Sequence, residues 1–142
     1  MTTKARVFVA LLVVLVPRVV VAECLLVRPS DAAQSAAVVF SGIAMNERGK
    51  ITFEVDSVWK GPVTKQFFVI LLSGVEQFEF TFGQKYLVFG RTPTEAERRF
   101  LNLGIADRQV FVMGMCGDGT RDMARVTRQE FAELGRARVP VR

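Results

Sequence analysis

The sequence predicts a small, mainly β domain: an antiparallel barrel of about five strands with short flanking helices. Three observations predict it. Short runs rich in Val, Ile and Phe recur between residues 38 and 115, as strands require. Glycines and polar pairs punctuate those runs. Clear helix-start signals stand at the front and the back of the chain, outside the strand-rich middle. A chain of 142 residues, half of them hydrophobic, is the size of one domain.

The first segment is read as targeting. Lys4 and Arg6 form a basic region, Val7 to Val16 an apolar run, and Val20-Val21-Ala22 a small-residue cleavage site. Residues 1–22 are therefore expected to be a signal peptide, and 23–142 a single mature domain, secreted or periplasmic. The apolar run is shorter than the roughly 20 residues a membrane-spanning helix needs, and Pro17 and Arg18 interrupt it. No stable membrane span is expected after processing, with a retained anchor as the alternative. Cys24 raises a lipoprotein reading, but Glu23 stands where lipoprotein signals carry a small residue.

The elements then follow in order. Ser30 and Asp31 are good caps ahead of AAQSAA and predict a helix over 31–37. Val38 to Ile43 reads as a strand, with Gly42 marking a bulge or a close backbone approach. Asn46 to Gly49 is a turn. ITFEVDSVW (51–59) alternates, with Ile51, Phe53, Val55 and Trp59 on one face and Thr52, Glu54 and Asp56 on the other. Gln66 to Leu72 is more continuously apolar and is expected to be buried on both sides. Phe78 to Phe82 and Tyr86 to Gly90 are two more strands around Gly83, with Phe80, Phe82 and Tyr86 filling the interior. TPTEAERR is a polar connection, with one helical turn as the alternative. Val110 to Met115 is the last strand, running into Cys116, and Gly117 to Gly119 is a loop. Thr127-x-x-Glu130 is a capping box that opens a helix with Phe131 and Leu134 inward and Gly135 as its stop.

Charge and residue inventory narrow the function. Removing Lys4, Arg6 and Arg18 from the 19 bases leaves 16 against 14 acids, so the high basicity belongs partly to the leader. A nucleic-acid partner would require a basic stripe, and the Arg136, Arg138 and Arg142 cluster reads as a solvated tail. The chain has no histidine, the usual general base. Ser41-Gly42 lacks the Gly-x-Ser-x-Gly elbow. Asp118 and Asp122 do not have the spacing of a calcium loop, and GMCGDG has its glycines in the wrong order for a phosphate loop. Glu54 and Asp56 read as a solvated outer face rather than an acid pair. No catalytic residue, metal or cofactor is expected. Cys24 and Cys116, in an oxidising compartment, are expected to pair, with two free thiols as the alternative. Closing that 92-residue loop would stabilise by about 4–5 kcal/mol at most.

Four segments resemble the tissue inhibitor of metalloproteinases and netrin-module superfamily, in particular its bacterial members. They are VVFSGIA (38–44), ITFEVDSVWKG (51–61), GQKYLVFG (83–90) and the cysteine at 116. The resemblance implies a five-stranded Greek-key barrel of the OB type with flanking helices. Family members commonly begin with Cys-x-Cys and carry a Cys-Gly before the Gly-x-x-Tyr segment. Here those positions read Ala22-Glu23-Cys24 and Glu76-Gln77, so both ends of one family bridge are missing together. Both ends of the other, Cys24 and Cys116, remain, and the resemblance implies that they are bonded.

In the animal inhibitors the first cysteine's α-amine and carbonyl chelate the protease zinc. This chain would present Glu23, with no bridge to orient it and with a carboxylate facing the protease's own glutamate. The expected function is thus a non-catalytic, protein-binding module outside the cytoplasm, with metalloendopeptidase inhibition through the N-terminal edge as the alternative. The expected partner is an extracytoplasmic protein, of which a zinc protease is one candidate, and no nucleic acid. The resemblance places the contacts on Glu23, Cys24, Leu25, Leu26 and Val27 and on the neighbouring loop of Ser73, Gly74, Val75, Glu76 and Gln77.

Overall fold

A computed structural model describes residues 27–71, 79–104, 109–114 and 117–141. Among them run helix α1 (Pro29–Ser35), strands β1 (Val38–Glu47), β2 (Lys50–Lys60), β3 (Gln66–Leu71) and β4 (Lys85–Gly90), and helix α2 (Glu95–Phe100). Strands β5 (Val110–Met113) and β6 (Arg121–Asp122) and helix α3 (Arg128–Leu134) complete the order. The strands form one curled mixed sheet, a half-barrel, in the order β5-β3-β2-β1-β4-β6. No helix among the described residues is long and apolar enough to cross a membrane.

The β1–β2 hairpin is the backbone of this sheet. It turns at Arg48 and Gly49, both left-handed, while the Asn46 side chain accepts a hydrogen bond from the Gly49 amide at 2.9 Å. The turn lies within the expected polar stretch. The clean alternation expected of 51–59 holds only as far as Val55. The register with β1 shifts twice, once past Asp56 and again past Trp59, so that Ser57 faces Ser41, Val58 faces Phe40 and Lys60 faces Val39. Each shift places two β2 residues against one β1 residue and re-aims the strand. Val58 therefore joins Phe53 and Val55 in the interior, and Trp59 goes to the opposite face.

Three further expectations are corrected. The sheet is not wholly antiparallel, because β3 and β5 run parallel in register from Phe68↔Val110 to Leu71↔Met113. The chain from the end of β3 to the start of β5, which includes β4 and α2, is the long connection that a parallel pair demands. No strand covers residues 79–82. Phe82 begins the turn at Gly83 (φ 87°) and is half exposed, whereas Phe80 and Tyr86 are buried. The rest of the Phe78–Phe82 reading falls on Phe78, outside the described residues. Finally, β3 is buried on one face only: Phe67 and Val69 are interior, and Phe68 and Ile70 remain partly accessible. The first helix also starts earlier than expected, at Pro29, where a missing N–H costs nothing.

The interior is aromatic. Phe40 packs on Phe53 and Phe67, Phe53 on Phe80, Phe67 on Phe111 and Phe80 on Tyr86, with centroids 4.8–5.4 Å apart. Most of these pairs meet edge to face, the favoured geometry of ring quadrupoles. A second cluster lies on the outer side of β1 and β4. There Val39, Leu87 and Phe89 meet Ala32 and Ala36, with Trp59, Met123 and Leu134 packed against them. The α3 capping box is present, with Thr127 N to Glu130 Oε2 at 2.8 Å and Glu130 N to Thr127 Oγ1 at 3.2 Å. Phe131 leans on Trp59 at 5.8 Å. The α2 helix carries a second capping box, Thr94 with Glu97.

Candidate functional site

Of the ten residues assigned to the partner-binding edge, Val27 alone lies among the described residues. Glu23, Cys24, Leu25, Leu26 and the loop from Ser73 to Gln77 lie outside them. So do the signal peptide, Cys116 and hence the Cys24–Cys116 bond. What the structure describes is the residues next to those segments in the chain.

Val27, next to the first of those segments, is held by Arg121 on the short strand β6. Its guanidinium donates to the Val27 carbonyl, to the Gly119 carbonyl at 3.1 Å and to the Glu130 carboxylate at 3.0 Å. One side chain thus joins the entry of the domain, the 117–119 turn and helix α3. A planar guanidinium with five fixed donors is suited to this, where a lysine would not be. Nearby, a cleft of about 240 Å³ is lined by Val27, Ala32, Ala36, Phe89, Arg91 and Asp118 among others. Its floor is apolar and its rim charged.

The 117–119 turn is fixed by unusual backbone. Asp118 is left-handed (φ 51°), and its carboxylate accepts a hydrogen bond from the Gly114 amide at 2.7 Å. A Cβ on Gly119 would stand 2.7 Å from that of Ala32, so only glycine lets the turn touch α1. Residues on either side of Cys116 are therefore tied together, and Asp118 shares a cleft with Val27. Beside them, Arg91 grips Glu97 through two bonds of 2.8 and 2.6 Å. The Arg91 hydrogen bond, followed by the Thr94 backbone, lowers the Glu97 carboxyl to about 2. The Arg91 backbone also exchanges two 3.0 Å bonds with Val112, linking the end of β4 to β5.

The parallel register of β3 and β5 completes the geometry. Leu71 stands opposite Met113 and both strands leave the sheet at the same end. Gly114, which follows Met113, is bound to Asp118, which lines the cleft with Val27.

Elsewhere, the acid-pair alternative for Glu54 and Asp56 is not what β2 presents. Asp56, at the bulge, accepts from Ser41 Oγ at 2.6 Å and pairs with Lys85. Ser41 is fully buried, so this trio clasps β1, β2 and β4 together. Among the described residues no cluster of three or more His, Cys, Asp or Glu side chains could hold a metal ion. Sequence reading missed Arg121 and the Thr94–Glu97 capping box. The second was visible as Thr-x-x-Glu; the first had no local signal, since Arg121 and Val27 lie 94 residues apart.

No protein-family model matches the chain, and no curated protein matches it.

Proposed function

We propose that this chain is an exported, non-catalytic protein-binding module on an OB-type barrel. It engages its partner at the end where the N-terminal segment and the 73–77 loop meet. One observation carries the reading: Val27 and Leu71, the described residues next to the two segments, are linked through the end of β5 and the 117–119 turn. Val27 is anchored by Arg121 and lines one cleft with Asp118, two residues past Cys116. Leu71, two residues before Ser73, stands in register with Met113, three before Cys116. A bond between Cys24 and Cys116 would draw the first residues of the mature chain onto that end.

The strand connectivity supports the OB assignment. It runs β1-β2-β3 as a meander, pairs β3 with β5 in parallel and β1 with β4 antiparallel, and links β4 to β5 through Arg91 and Val112. Leaving out the two-residue β6, the circular order 1-2-3-5-4-1 supports the five-stranded Greek-key arrangement that the resemblance to the inhibitor and netrin superfamily implies. In this reading residues 1–22 are removed and no cofactor takes part.

The test uses mature protein beginning at Glu23. Photo-crosslinking amino acids are placed at Val27, at Val75 and, as a control, at Lys65 on the opposite end of β3. Incubation with envelope and medium fractions should give one common adduct from Val27 and Val75 and none from Lys65. Equal labelling from Lys65, or none from the two edge positions, refutes the proposal. A panel of zinc endopeptidases should be inhibited weakly or not at all. Nanomolar inhibition abolished by acetylating the Glu23 α-amine would instead establish the inhibitor alternative.

A further inference from the structure

The outer face of β3 carries a second surface, distinct from the N-terminal edge. Phe67 and Val69 point inward, so Phe68 and Ile70 stand on the outer side of the sheet. A groove of about 470 Å³ runs along them, bounded by the β1–β2 turn at Lys50 and by Leu101 and Leu103 after α2. That volume falls in the range of sites that bury several side chains. A shallower depression of about 430 Å³ shares Asn102 and Leu103 and extends the groove past Arg98 and Arg99. At the end of α2, Phe100 is 88% exposed.

The rims are cationic. Lys50 lines one border, with Arg48 two residues before it in the same turn, and Arg98 and Arg99 line the adjoining depression together with Glu95. One acid offsets part of the charge on each side, Glu95 by pairing with Arg99 at 3.3 Å and Glu47 beside Arg48, its carboxylate accepting the neutral Gln66 amide at 3.2 Å, so each rim keeps one net positive charge. Both rims are set by left-handed residues, Arg48 and Asn102, each at φ 53°. Such conformations are uncommon outside glycine. The backbone of the floor is already paired, β3 with β2 on one side and β5 on the other, so an incoming strand cannot add to it there. An occupant must dock through side chains.

We propose that this groove binds an acidic peptide segment whose apolar side chains alternate with carboxylates. The apolar floor takes the former and the two basic rims the latter, an arrangement of complementary charge around a hydrophobic centre. Basic groups on two separate borders of the floor match carboxylates spaced along a peptide better than the single headgroup charge of an anionic lipid.

The probe is a short fluorescein-labelled peptide alternating leucine or phenylalanine with glutamate, titrated against the mature protein by fluorescence anisotropy. The same peptide with lysine in place of glutamate should bind about tenfold more weakly or worse. Leu103→Asp should lower affinity by about tenfold or more. Lys50→Glu, an exposed change that leaves the fold intact, should lower it severalfold, and Lys65→Glu should not. Added salt should weaken the complex. Equal binding of the lysine peptide, indifference to Lys50→Glu, or capture of phosphatidylglycerol vesicles in preference to the peptide would overturn the proposal. The readout is direct and needs no natural partner, so it stands or falls separately from the N-terminal edge.

Discussion

Replacing Gly42 by alanine isolates the geometry on which the β1–β2 pair depends. A Cβ at this position would stand 2.6 Å from the Glu54 carbonyl oxygen, 0.8 Å short of the 3.4 Å at which ordinary contact begins. It would also meet the Glu54 carbonyl carbon at 3.2 Å and the Val55 Cα at 3.3 Å. All three are backbone atoms, so no rotamer change relieves the clash and the strands themselves must part. Overpacking of this kind costs about 2–3 kcal/mol. Restricting the unfolded chain returns roughly 0.4–1 kcal/mol, leaving a net loss of about 1–2.6 kcal/mol. For a domain of this size that lowers Tm by about 5–10 °C. The assay is urea unfolding followed by the fluorescence of Trp59, the single tryptophan, with an unchanged m-value. Gly49→Ala is the control: nothing lies within 4 Å of its Cβ, and its cost, about 1 kcal/mol, comes from φ +80° alone. If Gly42→Ala proves no more damaging than Gly49→Ala, the close approach is not what selects glycine there.

Three other outcomes are expected. Thr52 Oγ1 is buried with no hydrogen-bond partner among the described residues, so Thr52→Val should stabilise by about 1 kcal/mol in the same titration, and a loss of stability would contradict this. Folding lowers the Glu97 carboxyl from 4.5 to about 2, so its contribution is complete above about pH 4.5 and is lost as pH falls toward 2; carboxyl-carbon NMR should show the low midpoint in the native protein and a return toward 4.5 in Arg91→Gln. Arg121→Gln should cost about 1–3 kcal/mol by leaving Glu130 and the Val27 carbonyl without their shared donor, and hydrogen exchange should rise at α1 and the 117–119 turn together; a rise confined to β6 would show that the guanidinium does not join them.

The legible parts of the fold were those with a local cause. The Asn46–Gly49 turn, the Thr127–Glu130 capping box, the Gly135 stop and the tight approach at Gly42 each follow from a few adjacent residues, and each is present. The misread parts depend on neighbours far away in sequence. Trp59 follows the odd-numbered apolar positions of β2, and only the pairing with β1 reveals the two bulges that turn it outward. Phe82 alternates with Phe80, yet the bend at Gly83 leaves it half exposed. The apolar run of β3 reads as buried on both faces because composition does not say whether a layer covers the outer one. The same blindness hid the groove, which is made where β3 meets residues 101–103. The parallel β3–β5 pair likewise has no signature in either strand.

The candidate edge illustrates why site and fold separate in such a chain. Its expected contact residues lie in two short stretches far apart in sequence, Glu23 to Val27 and Ser73 to Gln77, neither of which carries a recognisable motif. Their significance depends on being brought together, and the groups that would do so are elsewhere. Arg121 holds the Val27 carbonyl, Asp118 holds Gly114, and Gly119 admits Ala32 because it lacks a side chain. In the proposed edge, the residues that touch the partner would tolerate wide variation provided that Arg121, Asp118 and Gly119 keep their contacts. It follows that substitutions at Arg121 and Gly119 should impair partner capture as severely as changes at Val27 itself, although neither residue is assigned a contact. Capture that survives both while failing with Val27→Asp would mean that the edge is organised by its own sequence rather than by the turn behind it.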